Sequence, residues 1–305
     1  MIVHFGLSGL TPEWTSSVVC LGTFDGVHLG HQAVILSAVQ IAENRELPCC
    51  LLTFDRHPAA TLRPDVKPPC LMGLEDKLRI FEEIGVSATL ILPFDEALSQ
   101  TPATAFLDEI LKERLKASAV VIGHDFCMGR NREGTASWLS ARIETDIVPP
   151  FELHGARVSS SSIRAAIASG DLGLAKQMLG RPYALSGVVV AGQRLGRTIG
   201  YPTINIARAD DQAIPPNGIY AGEAETPHGT YQAAISIGVR PAVRGSTRTV
   251  EAFLIDYPGS SLYGRHCRLS FLQRLRDELD FESVPLLTEQ IGKDVEMVKA
   301  LREVR

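Results

Sequence analysis

Short apolar runs alternate with helical periodicity along the first 180 or so residues. Val18–Leu21, Cys49–Phe54, Thr89–Leu92 and Ala119–Ile122 read as buried strands, with a weaker one near Ile147. Helical spacing fills the gaps near 31–44, 75–84 and 103–116; in the first of these Val34, Ile35, Ala38, Val39 and Ala42 fall on one side. Strands alternating with helices predict a parallel α/β sheet with crossover helices. Residues 161–179 continue the helical pattern, divided at Gly170 and stopped at Gly180. After Pro182 the texture changes to β-rich runs: Leu185–Ala191, Ile219–Glu225, Tyr231–Ile237, Thr249–Asp256 and Cys267–Leu272. Turn clusters such as Pro227-His228-Gly229 and Pro258-Gly259-Ser260 separate them, which predicts a small antiparallel barrel or sandwich. The last pattern is a helix with Leu287, Ile291, Val295 and Val298 on one side. The change of texture divides the chain into modules 1–182 and 183–305.

Composition adds bounds rather than detail. The 305 residues are 45% hydrophobic and 21% charged, ample for one large or two ordinary cores. A formal net charge of -5 argues against broad nucleic-acid binding. No apolar stretch approaches the roughly 18 residues of a membrane span, and no secretory signal is visible, so no membrane association is expected. The six cysteines, at 20, 49, 50, 70, 127 and 267, form no C-x-x-C pair. That pattern suggests neither a zinc site nor a disulfide framework and fits a reducing cytoplasm.

Candidate chemistry concentrates first in Gly22-Thr23-Phe24-Asp25-Gly26-Val27-His28-Leu29-Gly30-His31-Gln32, between the first long strand and its helix. A strand, a glycine-rich turn and a helix N-terminus make a phosphate site, because unpaired backbone N–H groups and the helix dipole both face the anion. Two imidazoles there can donate to phosphate oxygens as charge builds on them; they can equally just satisfy nearby backbone groups. Ser159-Ser160-Ser161-Ser162-Ile163-Arg164 opens a later helix, either as an N-cap with a solvated arginine or as a phosphate clamp. Two more loops leave strands at their carboxyl ends: Thr53-Phe54-Asp55-Arg56-His57-Pro58, and Gly123-His124-Asp125-Phe126 with Gly129, Arg132 and Gly134. Open α/β sheets bind ligands there, although His57 also fits a plain turn before Pro58.

The order and spacing of these pieces resemble the nucleotidyltransferase module of prokaryotic-type bifunctional FAD synthetases, a Rossmann-like fold on a parallel sheet. The resemblance rests on G-x-F-D-G-V-H-x-G-H-Q, T-F-x-x-H-P, G-x-D-F and S-S-x-x-I-R. It implies FMN + ATP giving FAD and pyrophosphate. His28 and His31 would stabilise the α-phosphate, and Ser160 and Arg164 would hold the ATP phosphates. Gly22, Phe24, Asp25, Gly26, His57, Asp125 and Arg132 would line the nucleotide and flavin site. The FMN phosphate is already a competent nucleophile, so positioning and electrostatics would supply the catalysis. Departures are Arg56 for a usual Pro, Cys127-Met128 for Arg-Phe and Ser161-Ser162 for Thr-Arg.

The second concentration is Gly192-Gln193-Arg194-Leu195-Gly196-Arg197-Thr198-Ile199-Gly200-Tyr201-Pro202-Thr203-Ile204-Asn205. Gly192, Gly196 and Gly200 let backbone approach a phosphate. Thr203 and Asn205, two apart, share a face if extended and offer hard oxygen ligands for Mg²⁺; a flap with Thr and Asn in a turn is the other reading. Glu251 lies in the apolar run Thr249–Ile255 on the face of Phe253 and Ile255, where a carboxylate needs a salt-bridge partner or a task as general base. These residues resemble the riboflavin kinase module of the same family. Its G-R-x-x-G-Y-P-T-x-N motif is joined by Pro216-Asn217-Gly218-Ile219-Tyr220-Ala221, by Ile237-Gly238-Val239-Arg240-Pro241, by Leu262-Tyr263-Gly264 and by Leu275-Arg276-Asp277-Glu278 with Phe281. The resemblance implies a small antiparallel β-barrel of riboflavin kinase type with a terminal helix, converting riboflavin + ATP to FMN + ADP. Thr203 and Asn205 would bind Mg²⁺ with ATP, and Glu251 would take the proton of the ribityl 5′-hydroxyl. Gly192, Arg197, Gly200, Pro202, Gly218, Tyr220 and Arg276 would contact nucleotide or flavin. Ser236 replaces a common Asn, and Ala242-Val243 replace Thr-Phe.

Riboflavin, FMN and ATP are thus the expected small-molecule partners, with flavin as substrate and product; the sequence does not set the oligomeric state. Three competitors stay open. They are a kinase whose adenylyl-transfer site is impaired at Cys127 and Ser162, another nucleotidyltransferase, and a flavin-binding regulator without turnover.

Overall fold

The computed structural model describes residues 1–8, 10, 12–192, 195–209, 211–241 and 246–301. Gln193, Arg194, Ala242 and Val243 of the motifs above lie outside them. Tertiary contacts divide the chain into two units, Met1–Ser160 and Ser161–Arg305.

The first unit is a six-stranded, all-parallel sheet. Its strands are β1 (Ile2–Phe5), β2 (Ser17–Leu21), β3 (Cys49–Phe54), β4 (Ala88–Leu92), β5 (Ala117–Gly123) and β6 (Glu144–Val148). Their spatial order is β1-β4-β3-β2-β5-β6. The chain winds from β2 through β3 to β4 on one side, then returns to place β5 on the other side of β2. The order therefore reverses between β2 and β5, and their carboxyl ends open a crevice there. Both faces of β2 are covered. Val18 and Cys20 pack with Ile35, Ala38 and Val39 of α1 (Leu29–Asn44) and with Ile80 and Phe81 of α2 (Leu74–Ile84). Val19 and Leu21 pack with Phe106, Leu107, Ile110 and Leu111 on the opposite side. That two-sided burial explains the unbroken apolar runs. The segment expected to be one helix over 103–116 winds as a short α turn, Ala103–Ala105, and then as a π-helix, Phe106–Arg114.

Helix α3 (Ser160–Ser169) starts at the division, and α4 (Leu172–Leu179) follows it in the second unit. Gly170 (φ 81°) divides them and Gly180 (φ 74°) caps the second in the left-handed region. The division by contacts falls ahead of the 182/183 change of texture because α4 packs against the first and last strands of the barrel that follows.

That barrel is closed and antiparallel, from β7 (Tyr183–Val190), β8 (Thr203–Ala207), β9 (Gly218–Thr226), β10 (Gly229–Pro241), β11 (Ser246–Leu254) and β12 (His266–Arg276). The strand order is β7-β8-β11-β10-β9-β12, and β7 pairs with β12 to close it. Along β11, Val250, Ala252 and Leu254 are buried, whereas Glu251 and Phe253 alternate to the other face. That other face is covered by α5 (Val284–Ala300), whose Val295 packs in one cluster with Ile255, Ile291, Phe253 and Tyr201. No helix among the described residues is long and apolar enough to cross a membrane, and all six cysteines are free.

Candidate active sites

The first site is built at the crevice between β2 and β5. The turn after β2 is held in unusual conformations: Phe24 has φ 48°, Val27 φ 38° and Gly26 φ 82°. A positive φ at the β-branched Val27 is rare and persists only where the surroundings impose it. Several contacts do so. Asp25, 5% exposed, accepts from the Leu71 N–H through Oδ1 at 2.9 Å. A Cβ at Gly26 would stand 2.7 Å from Leu71 Cδ1, so only glycine fits. Gln32 Nε2 donates to the Val27 carbonyl at 2.8 Å. The Thr23 carbonyl accepts from Thr53 Oγ1 at 3.3 Å and from Lys77 Nζ at 3.2 Å. A Cβ at Gly22 would lie 2.8 Å from the Phe24 ring.

The turn delivers His28 to the N-cap of α1, where its Nδ1 accepts from the His31 N–H at 3.2 Å. With Nδ1 an acceptor, the neutral ring carries its proton on Nε2, a donor of the kind that suits a phosphate oxygen. The His31 ring stacks on it, with centroids 3.6 Å apart and planes 18° apart, and Phe24 meets His31 edge-on at 5.4 Å. No acidic residue occupies the first turn of α1, and the positive end of a helix dipole favours an anion. Ser160 also reaches this turn, donating through Oγ to the Asp25 carbonyl at 2.9 Å. It opens α3, and Arg164 lies one turn further along the same helix face.

The other expected residues of the first site have local partners. His57 Nδ1 accepts from the Ala59 N–H at 3.1 Å. Asp125 pairs with Arg157; partial burial opposes its ionisation most strongly, but the guanidinium hydrogen bond and charge together with His124 hold its carboxyl below the usual range. Arg132 is exposed in a short turn at φ 60°. Arg56, the departure from the family pattern, pairs with Asp55 at 2.9 Å. Burial pushes the Cys127 thiol up against the opposing influence of Arg132.

The second site lies on the outer face of the barrel beneath α5. Asn205 on β8 is in register with Glu251 on β11, and Thr203 with Phe253. Directly opposed residues share a face, so Thr203, Asn205, Glu251 and Phe253 all present to one side. The Thr203 hydroxyl donates to Glu251 Oε2 at 3.1 Å. Ser236 on β10 stands opposite Glu251 on its other flank. Asn205 is 8% exposed, and a Cβ at Gly192 would fall 2.3 Å from its Nδ2. Glycine there is what lets the β7–β8 connection close over the Asn205 amide. The turn before β8 is equally tight: Tyr201 N–H donates to the Gly196 carbonyl at 2.8 Å, with Gly200 at φ 86°. Arg197 is exposed on the short helix Leu195–Thr198, and Pro202 leads directly into β8.

Thr203, Ser236 and Glu251 face a cavity of about 420 Å³. Its apolar walls include Ile199, Tyr201, Ile219, Phe253, Phe281 and Ile291, and its remaining polar lining is Arg276, Glu278 and Asp294. The size and the largely apolar lining are those of a small-molecule site. Arg276 is held there by a two-pronged pair with Asp294, Nε to Oδ1 at 2.9 Å and a terminal nitrogen to Oδ2 at 2.6 Å. Asp294 is 2% exposed and also accepts from Gln290 Nε2 at 2.9 Å. Asp294→Ala would strand the Arg276 cation and is expected to lower stability by about 3 kcal/mol. Urea unfolding reads this directly, and an unchanged transition would remove the pair from the account.

Of the expected nucleotide and flavin contacts only Arg276 lines the cavity; Gly192, Arg197, Gly200, Pro202, Gly218 and Tyr220 do not. Tyr220 is fully buried, packs edge-on to Phe271 at 5.4 Å and donates its hydroxyl to the Pro216 carbonyl at 2.6 Å. It supports the wall from inside the barrel and does not line the cavity. Gly218, at φ 148°, lies against the Arg276 carbonyl, 2.6 Å from where its Cβ would be, and so fixes the start of β9. Lys77 and Asp294 went unread in the sequence. Both are charged residues on apolar helix stripes: Lys77 precedes Ile80 and Phe81 by three and four, and Asp294 follows Ile291 by three and precedes Val298 by four. That position was the available signal.

Comparison with known proteins shows the family. A family profile described as FAD synthetase matches residues 10–162, and one described as Riboflavin kinase matches residues 179–302. A protein of Bacillus subtilis named bifunctional riboflavin kinase/FMN adenylyltransferase is 36% identical over 290 residues, covering 92% of this chain and 91% of the relative. The chain belongs to the bifunctional riboflavin kinase/FMN adenylyltransferase family. A member from Listeria monocytogenes is 37% identical over 300 residues, covering 95% of this chain and 94% of that one. A solved structure from Streptococcus pneumoniae, described as a macrolide-efflux protein, matches with a TM-score of 0.87 and 31% identity, over 98% of this chain and 99% of its own. Both halves of the family architecture are therefore present in order, the parallel sheet first and the closed barrel second.

Proposed function

We propose that the chain makes FAD in two ATP-dependent steps, with residues 183–305 phosphorylating riboflavin and residues 1–182 adenylylating the resulting FMN. One observation carries the reading furthest. Glu251 stands at the wall of a largely apolar cavity of about 420 Å³, with Thr203 hydrogen-bonded to it and Asn205 in register beside it.

In the kinase step the flavin ring occupies the cavity, and its ribityl chain extends toward Glu251. The carboxylate removes the proton of the 5′-hydroxyl as that oxygen attacks the γ-phosphorus, and ADP leaves. Thr203 and Asn205 offer a hydroxyl and an amide oxygen on one face, the hard donors that suit Mg²⁺ carried by ATP. Mg²⁺ would neutralise charge on the transferring phosphates. Thr203 has a second task in holding Glu251 in place.

In the adenylyl-transfer step an FMN phosphate oxygen attacks the α-phosphorus of ATP and pyrophosphate leaves. His28 donates from Nε2 to the α-phosphate, and its ring is fixed by its own cap and by the His31 stack. The α1 N-terminus and Ser160 supply further donors to the phosphates.

Incubating the purified chain with riboflavin and Mg·ATP tests both steps together. FMN is expected to rise and then be consumed as FAD accumulates. FMN without FAD would leave a kinase alone; flavin binding without ATP turnover would leave a regulator.

A further inference from the structure

Lys77 places a charge where α2 is otherwise apolar. It is 9% exposed, and its Nζ makes one hydrogen bond among the described residues, to the Thr23 carbonyl. Burial lowers its pKa, opposed by Asp25, Cys70 and Asp55. Burying an ammonium is unfavourable, and a neutral donor already serves the same carbonyl from Thr53. The position of Thr23 gives the reason for a second, charged donor. It directly precedes Phe24 at φ 48°, and the strained stretch through Val27 ends at His28. The same helix supports the turn again one stride later. Phe81 packs edge-on to Phe24 at 5.7 Å, and Phe24 packs edge-on to His31 at 5.4 Å. Helix α2 therefore grips the turn at its first residue and beneath its aromatic ring.

We infer that Lys77 is a positioning residue for adenylyl transfer: its ammonium pins the Thr23 carbonyl and so holds the Phe24–Val27 turn that aims the His28 Nε2. This rests on the adenylyl-transfer reading above. Lys77 makes no contact with substrate in this role; it acts through His28.

The test is Lys77→Met in the full chain. FAD formation from supplied FMN is expected to lose more than about 10-fold in kcat, with KM for FMN and ATP within about 3-fold, because the loss falls on the transition state. Riboflavin phosphorylation by the same preparation should be unchanged. A general loss of packing would not produce the second result: the double variant His28→Ala/Lys77→Met should be no slower than His28→Ala alone. Multiplying losses would overturn the inference. So would unaltered ¹⁵N resonances of the His28 ring in Lys77→Met, a readout that needs no activity. If the wild-type chain made no FAD from FMN, the adenylyl-transfer reading would fall, and the His28 resonances would still decide whether Lys77 orients that ring. Lys77→Gln keeps a donor without the charge; it serves as the second variant if the methionine form does not fold, and the same resonance shift is expected of it.

Discussion

Glu251→Ala is expected to cut FMN formation from riboflavin by about 10²–10⁴-fold, the usual contribution of a positioned general base. FAD formation from supplied FMN should be untouched, because the residue belongs to the barrel. The size of the effect follows from the geometry. The carboxylate faces a mostly apolar cavity beside the two candidate metal ligands, and Thr203 holds one of its oxygens at 3.1 Å. Glu251→Gln sharpens the test. An amide oxygen can still accept from Thr203, so the local structure is kept while the proton acceptor is lost. If the glutamine variant phosphorylated riboflavin at the wild-type rate, Glu251 would not be the base.

His28→Ala should produce the mirror image. FAD formation is expected to fall by about 10²–10³-fold, the range for losing one preorganised donor to a developing charge, with riboflavin phosphorylation intact. Part of this loss is indirect. His28 caps α1 through Nδ1, so the alanine variant also frees the His31 N–H and removes the ring on which His31 stacks. His28→Asn separates the two effects, since asparagine caps a helix well but cannot reach as far as the imidazole Nε2. Asparagine restoring full activity would reduce His28 to a cap.

Much of the fold is legible in the chain because burial is two-sided. Cys49–Phe54 was readable to the residue, since strands covered on both faces carry unbroken apolar runs. The edge strand β1 was not, because Ile2 and Phe5 are more than half exposed and the run is four residues long. β8 was hidden by the glycines and proline that lead into it, although the two-residue spacing of Thr203 and Asn205 already placed them on one face. The strand around Glu251 is apolar on both faces, so the sequence could not say which face meets the barrel interior. Closure of the barrel decides it: Val250 and Ala252 fill the inside, and Glu251 is left beneath α5. Lys77 and Asp294 were missed for one shared reason. A charge on an apolar stripe reads as an interruption until a partner is seen, here the Thr23 carbonyl in one case and Arg276 in the other. The reach of α4 to β7 and β12 is likewise a tertiary fact that no local pattern announces.

The pairing of β7 with β12 has a consequence for how the protein comes into being. Synthesis runs from the N-terminus, and the parallel sheet is complete once residue 148 has emerged. The barrel has no such early completion. Tyr183–Val188 must wait for His266–Phe271, some eighty residues later, before one whole flank of β7 finds its hydrogen-bonding partner. Until then that edge and the apolar residues behind it stay open to wrong partners. The barrel thus depends on a pairing between strands some eighty residues apart, whereas every strand of the sheet lies within residues 2–148.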